Sequence, residues 1–437
     1  MKNGFSILML APACHPVSSS EAIVNAKLAL AFLEAGWRID IISENRSGYY
    51  PGADEEIWNS VAKCVVCCPD RDRGITFRKV LNEAKGMLLL GKPIIGSGWA
   101  STALRVGTRL VRENGYDVVL ARTPPAFLAA LHLGRRTGIP WIANWNDPWP
   151  FAKYPSPYGS GPQGRIPMHK RRLIEEVGRE ATWHTFCCER LRRHICQYGP
   201  QEMMDRSTII PHVALKQFSN QQARRNPEMF TLCHAGKIKP PREPGVFFAG
   251  LSDFVKTIRN RKGISVIFFG RQSKETLAMM NAYGVTDIVR IEEPRPYGQA
   301  MRRLAEMDVL VIIEAKCLEG VFLPAKFIDY IQTGRPILAV SPLTGTLSDV
   351  ISNHGGGLLA DCTRRDEVAG ALAILYHHWQ EGSLDSTFGS GRLLSLYGED
   401  SVISEYARLC SRLGNHNGAH RSQSRAMGRA AICRTGE

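Results

Sequence analysis

Two short stretches near the start decide the fold: FSILMLA, residues 5–11, and EAIVNAKLALAFLEAGWRIDIIS, residues 21–43. The first is a continuous apolar run of strand length. In the second, apolar residues recur at helical spacing through Leu33, Gly36 stops the helix, and residues 38–43 read as another strand. Strand, helix and strand in so short a span make a β-α-β unit, whose strands run parallel. Taken alone, the opening MKNGFSILMLAPACHP imitates a signal peptide, with one lysine ahead of an apolar core and small residues. The segment that follows assigns it instead to a buried first strand.

The alternation continues outward. Residues 62–68, YDVVLA from Tyr116, PWIANW from Pro140, 183–188 and STIIPHV from Ser207 read as further strands, with helices over 127–137, 170–182 and 190–198. Residues 214–228 are polar and read as a linker. The pattern then restarts with FTLCHAG, ISVIFFG, DIVRIE, DVLVII and PILAV, separated by helices over 244–260, 274–283, 297–306 and 325–333. Continuous apolar strands between helices mean parallel sheets covered on both faces. The chain is therefore α/β, with two doubly wound domains: residues 1–213 and 229–391, then a helix over 392–413 and a polar, Arg-rich tail over 414–437 composed like a disordered segment. In such folds ligands bind beyond the carboxyl ends of the strands, in the cleft where two domains face each other.

Composition narrows the classes. The 437 residues suit two domains, and 44% hydrophobic with 22% charged residues excludes a disordered, collagenous or disulfide-stapled chain. The net charge is +14, from 55 Lys+Arg against 41 Asp+Glu, which calls for an anionic partner. Half of it sits in residues 71–112. There Arg71, Arg73, Arg78, Lys79, Lys85, Lys92, Arg105, Arg109 and Arg112 face only Asp72 and Glu83, around the apolar tract GMLLLGKPIIGSGW. Basic and apolar together suit an anionic membrane surface, or a helical hairpin with a solvated basic face. No nucleic-acid module is evident. Of 12 cysteines, Cys64, Cys67 and Cys68 form one group, and Cys187, Cys188 and Cys196 another beside His184 and His194. Neither has the paired spacing of a zinc site, and both suit buried packing in a reducing cytosol. No run of about 18 apolar residues exists to span a membrane.

The strand ends hold the candidate chemistry. In PAKFIDYIQTGRP, residues 324–336, Lys326 and Asp329 share a helix face, as a phosphate-binding cation and a ribose-binding acceptor would, or as a surface ion pair would. In HAGKIKPPREP, Gly236 with Lys237 and Arg242 suits a diphosphate, because glycine lets the backbone approach and the cations offset charge. Gly270 closes the next strand. In the first half, Ser18, Ser19 and Ser20 precede a helix and either cap it or bind a sugar or phosphate. Asn146, Asp147 and Trp149 follow a strand in ANWNDPWP.

These segments resemble the GT-B glycosyltransferases of the glycosyltransferase 1/4-like superfamily, especially the retaining bacterial polysaccharide branch. PAKFIDYIQTGRP is similar to that branch's P-S-K-x-x-E-Y-x-A-x-G-x-P segment. YDVVLARTPPAFLAAL, ANWNDPWP and HAGKIKPPREP resemble its other segments in the same order. The resemblance implies two facing Rossmann-like domains, an acceptor-binding one followed by a nucleotide-sugar donor domain. It implies metal-independent, cofactor-free transfer from a UDP-, GDP- or dTDP-sugar to a glycan or lipid-diphosphate acceptor. The donor phosphate assists deprotonation of the acceptor hydroxyl, in a protein that is cytoplasmic or peripheral on the inner membrane face. By the resemblance Gly236, Lys237, Arg242, Gly270, Lys326 and Asp329 bind donor, and Ser18, Ser19, Ser20, Asn146 and Trp149 bind acceptor. Asp147 and Glu319 are the catalytic candidates, with Glu314 an alternative to Glu319. The chain departs from the family at Asp329, where glutamate is usual, at Asn146, and at the serine loop. Two other readings compete: an enzyme like the UDP-GlcNAc 2-epimerases, and a non-catalytic sugar-nucleotide-binding subunit.

Overall fold

The computed structural model describes residues 4–14, 19–44, 55–68, 77–219 and 225–414. They form two parallel sheets. The first has seven strands: β1 (Ser6–Leu10), β2 (Arg38–Glu44), β3 (Val65–Cys68), β4 (Val118–Ala121), β5 (Trp141–Trp145), β6 (Trp183–Phe186) and β7 (Ser207–Ile209), ordered β3-β2-β1-β4-β5-β6-β7. The second has six: β8 (Phe230–Ala235), β9 (Ile264–Phe269), β10 (Val289–Glu292), β11 (Val309–Ile313), β12 (Ile337–Ser341) and β13 (Gly357–Asp361), ordered β10-β9-β8-β11-β12-β13. The order reverses between β1 and β4 in one sheet and between β8 and β11 in the other. Loops leave those strands in opposite directions, and a crevice opens there.

The second sheet shows why its strands read as unbroken apolar runs. Phe230, Leu232, Val266, Phe268, Val309 and Val311 pack into one core on its outer face. Their neighbours Cys233, Ile267, Phe269, Leu310 and Ile312 join the large core that fills the first domain and reaches across to the second. Each strand thus alternates between two buried faces.

Some boundaries differ from the sequence reading. Residues 62 and 63 end a helix, Glu55–Lys63, because Trp58 and Val61 continue a helical face into the core; the strand begins at Val65. The closing helix divides at Gly398 into Leu394–Tyr397 and residues 399–414. The helices Thr346–His354 and Arg365–Gln380, with β13 between them, complete the second domain and had no clear sequence signal. Residues 415–437, Ser18, Arg71 and Arg73 lie outside the described residues.

The closing helix returns to the first domain. Tyr406 packs edge-on to Phe32 at 5.1 Å, and the Arg412 guanidinium lies 4.1 Å from the Trp183 ring. Ala214, leaving the first domain, pairs with Gly398 on the way back, its N–H donating to the Tyr397 carbonyl at 2.7 Å. A second close approach joins the helices Phe77–Leu90 and Ser97–Asn114. A Cβ on Gly86 would sit 2.3 Å from the Ser97 backbone, so only glycine lets them touch.

Candidate active site

A cleft of ≈ 810 Å³ lies between the domains, walled by residues that follow the reversing strands. After β1, Ser19 caps the helix Ser20–Glu34, its hydroxyl accepting from the Ala22 N–H at 3.2 Å. That puts Ser20 and Glu21 on the cleft wall. Burial pushes the Glu21 carboxyl up to about 7, against the pull of Arg122 and with the push of Asp147. After β4, Arg122 is buried and donates through Nε to Asn25 Oδ1 at 2.5 Å. After β5, Asn146 and Asp147 reach the cleft, and burial raises the Asp147 pKa while Arg242 opposes it. Glu21 Oε1 and Asn146 Oδ1 are buried without hydrogen-bond partners. Each such atom costs on the order of 1–3 kcal/mol until something satisfies it.

The second domain faces this wall. After β8 the backbone turns at Gly236, with φ 93°, which favours glycine. Gln272 braces the turn, donating to the Gly270 carbonyl at 2.7 Å and to the Gly236 carbonyl at 3.3 Å. Lys237, Lys239 and Arg242 follow on the cleft wall. After β11, Glu314 accepts from Arg242 Nε at 3.2 Å and from the Tyr158 hydroxyl at 3.4 Å. The helix Ala325–Thr333 brings Lys326 and Asp329 to the same wall. Asp329 Oδ1 accepts from Lys27 Nζ of the first domain at 2.9 Å and from the Tyr297 hydroxyl at 2.6 Å. Gln332 donates to the Tyr297 hydroxyl at 3.0 Å and accepts from the Leu215 N–H at 2.9 Å. A hydrogen-bonded chain therefore runs from the interdomain segment to the cleft carboxylate.

Comparison with known proteins gives a consistent picture. Residues 22–211 match the glycosyl transferase 4-like domain family. HepE of Anabaena, solved in complex with UDP and glucose, superposes with a TM-score of 0.65 at 11% identity, over 93% of this chain and 100% of that one. Sucrose-phosphate synthase of Thermosynechococcus elongatus gives 0.65 at 12%, over 94% and 99%. Residues 22–211 thus match a glycosyltransferase family, and the chain as a whole has the two-domain fold of these glycosyltransferases. The putative UDP-N-acetylglucosamine 2-epimerase of Listeria monocytogenes shares the fold more distantly, with a TM-score of 0.57 at 12% identity over 94% and 97%. At these identities the superpositions speak for the fold. No curated protein matches the sequence.

The fold brings Ser20, Asn146, Asp147, Gly236, Lys237, Arg242, Lys326 and Asp329 to one cleft. Ser19 is occupied as a helix cap. Gly270 lies behind the Gly236 turn, where a Cβ would come within 3.6 Å of the Gly236 Cα. Two candidates lie elsewhere. Glu319 is drawn off by Arg190 at 2.5 Å, which also holds Asp349 at 2.6 Å, and Glu314 takes the cleft position instead. Trp149 packs on the first-domain core with its N–H on the Tyr198 hydroxyl at 3.3 Å.

The cysteine groups are structural where described. His184 accepts from Trp145 Nε1 at 3.3 Å, and His194 Nε2 lies 2.7 Å from the Lys153 carbonyl. Among the described residues no group of three or more His, Cys, Asp or Glu is gathered to hold a metal.

Sequence reasoning passed over Glu21 and Tyr297 on the cleft wall, and Lys27 and His234 buried behind it. Two left a trace. Lys27 is a lone cation inside an apolar helix, and Glu21 adjoins the serine loop.

Proposed function

We propose that the chain transfers a sugar from a nucleotide-sugar donor, held by the second domain, to a hydroxyl of a glycan or lipid-linked acceptor held by the first. The transfer is metal-independent, proceeds with retention and serves polysaccharide assembly. One observation carries the reading: the Gly236 turn, Arg242, Lys326 and Asp329 converge on a cleft whose opposite wall presents Glu21, Asn146 and Asp147. A glycine turn and two cations suit a diphosphate, and a carboxylate suits ribose hydroxyls. HepE, of the same fold, was solved with UDP and glucose, which supports a nucleotide-sugar ligand.

The chemistry then needs little from protein side chains beyond placement and charge. The diphosphate leaves with the electron pair of its bond to the anomeric carbon. Arg242 and Lys326 offset the charge that develops on it. The acceptor hydroxyl, fixed by the first wall, attacks as its proton passes to the departing phosphate. Holding both partners converts a bimolecular encounter into a positioned reaction.

The acceptor wall adjoins a membrane-facing surface in this reading. Phe77, Leu88, Leu89 and Ile95 are 85%, 84%, 73% and 90% exposed around Arg78 and Lys85. An apolar, basic face of that kind suits the surface of an anionic bilayer, where a lipid-linked acceptor resides. Among the described residues no helix is long and apolar enough to cross one.

The deciding experiment is calorimetric binding of UDP-, GDP- and dTDP-sugars, followed by transfer assays in excess EDTA. Binding of one donor and EDTA-resistant transfer are expected. Loss of activity restored by Mg²⁺ or Mn²⁺ would reject the metal-independent course. Epimerisation of the donor without acceptor would favour the epimerase-like reading.

A further inference from the structure

We propose that His234 is a positioning residue for the donor: its Nε2 holds the amine of Lys326 above the Gly236 turn, where the diphosphate is received. The proposal rests on the nucleotide-sugar reading and adds a residue to it.

The argument starts in the sheet. His234 is buried on β8, and its Nδ1 lies 2.9 Å from the carbonyl oxygen of Val311 on the adjacent β11. A carbonyl only accepts, so Nδ1 carries the hydrogen and Nε2 presents a lone pair. Lys326 Nζ sits 3.1 Å from Nε2 and donates to it. The tautomer is thus set by a main-chain group of a central strand. Burial and the Lys326 cation both oppose a second proton, and His234 stays neutral far below the usual histidine range. It is an acceptor at every working pH.

What it accepts from is unusual. The Lys326 side chain is half-buried, and a Cβ built on Gly236 would lie 3.9 Å from its Nζ. The amine therefore overlooks the backbone turn that suits phosphate. Arg242, from the turn after β8, pushes its proton off, while Glu314 from the end of β11 and Asp329 from its own helix hold it on. Burial outweighs both acids, and the pKa falls to about 8. A lysine poised there is charged with a diphosphate beside it and sheds its proton readily without one. Without His234 the flexible stem could turn its head toward Glu314 or Asp329 and away from the turn.

The test is calorimetric titration with UDP, GDP and dTDP across pH 7 to 9.5, in buffers of different ionisation enthalpy. Wild type is expected to take up a proton on binding above pH 8 and to lose affinity by up to about tenfold per pH unit there. Lys326→Met should remove that dependence. His234→Leu should weaken binding at least about tenfold at pH 7.5 and displace the pH dependence. His234→Gln, whose amide oxygen can accept, should recover part of both. Native circular dichroism must be kept in the variants compared. If His234→Leu fails to fold, the comparison of His234→Gln with wild type decides: a weakened affinity with a displaced pH dependence supports the assignment, and an affinity and pH profile equal to wild type overturn it. A folded His234→Leu with wild-type affinity and pH profile overturns it as well. Failure of wild type to bind any of the three nucleotides would overturn the donor reading, and this inference with it.

Discussion

Lys27 and Asp329 meet at 2.9 Å behind the cleft wall, although one belongs to the first domain and the other to the second. The Lys27 side chain is 3% exposed and the Asp329 side chain 22%. The carboxylate suited to the donor's ribose is therefore also the anchor of a charge that has no access to water. Asp329→Ala should weaken nucleotide-sugar binding and also leave Lys27 buried without its partner, at a cost on the order of 3 kcal/mol. Lys27→Met in the same chain should restore stability without restoring binding. Thermal unfolding and calorimetry on the two single variants and the double variant separate the effects. Unchanged binding in Asp329→Ala would remove that residue from the donor site.

The two acidic candidates after β11 make opposite predictions. Glu314 sits in the cleft on Arg242, whereas Glu319 pairs with Arg190 outside it. Glu314→Gln should lower kcat by about a hundredfold, by unsettling the cation that meets the leaving group. Glu319→Ala should leave kcat within about threefold and act chiefly on stability, as a partly exposed ion pair does. The reverse ranking in a transfer assay would return the role to Glu319.

Glu21 has a pH signature. Its folded pKa, about 7, lies above the model-peptide value of 4.5, so the folded chain holds this proton more tightly. The stability this confers is present below pH 4.5 and is lost as the pH rises through 7. Glu21→Gln should therefore match wild type near pH 4.5 and exceed it by on the order of 2 kcal/mol at pH 8. Acceptor KM should respond to this substitution, and donor affinity should not. Denaturant midpoints at the two pH values check the sign, and equal differences at both would refute it.

The exposed face of the helix Phe77–Leu90 should bind anionic vesicles. Leu88→Asp with Leu89→Asp should abolish sedimentation with phosphatidylglycerol liposomes, and Arg78→Glu with Lys85→Glu should reduce it in a salt-dependent way. Lys92 is a poor choice for such a test, because it is already paired with Glu176. Sedimentation unaffected by either pair of changes would exclude this face.

Much of this was legible in the residues, and what was not shares a cause. The strands of both sheets read clearly because each is buried on two faces and so is apolar without interruption. The helix Ala325–Thr333 announced itself by Gly334, which takes the left-handed turn at its end with φ 72°. Gly236 was legible because few other residues turn there. The choice between Glu314 and Glu319 was not. Gly320 pairs with Gly345, and Arg190 of the other domain then captures Glu319. Both contacts are made between segments distant in sequence. Lys27 finds its partner 302 residues away. His234 owes its tautomer to a carbonyl on the neighbouring strand, and no local pattern encodes that.

The pairing of Ala214 with Gly398 bears on how such enzymes can be recombined. The chain passes between its halves twice, side by side, and the last described helix lies on the first half. Residues 1–213 produced alone would lack the closing helix and bare Phe32 and Trp183, which Tyr406 and Arg412 cover. Grafting a foreign second domain onto this first domain therefore takes two splice points, near 214 and near 398. A chimera joined at the first alone should be insoluble.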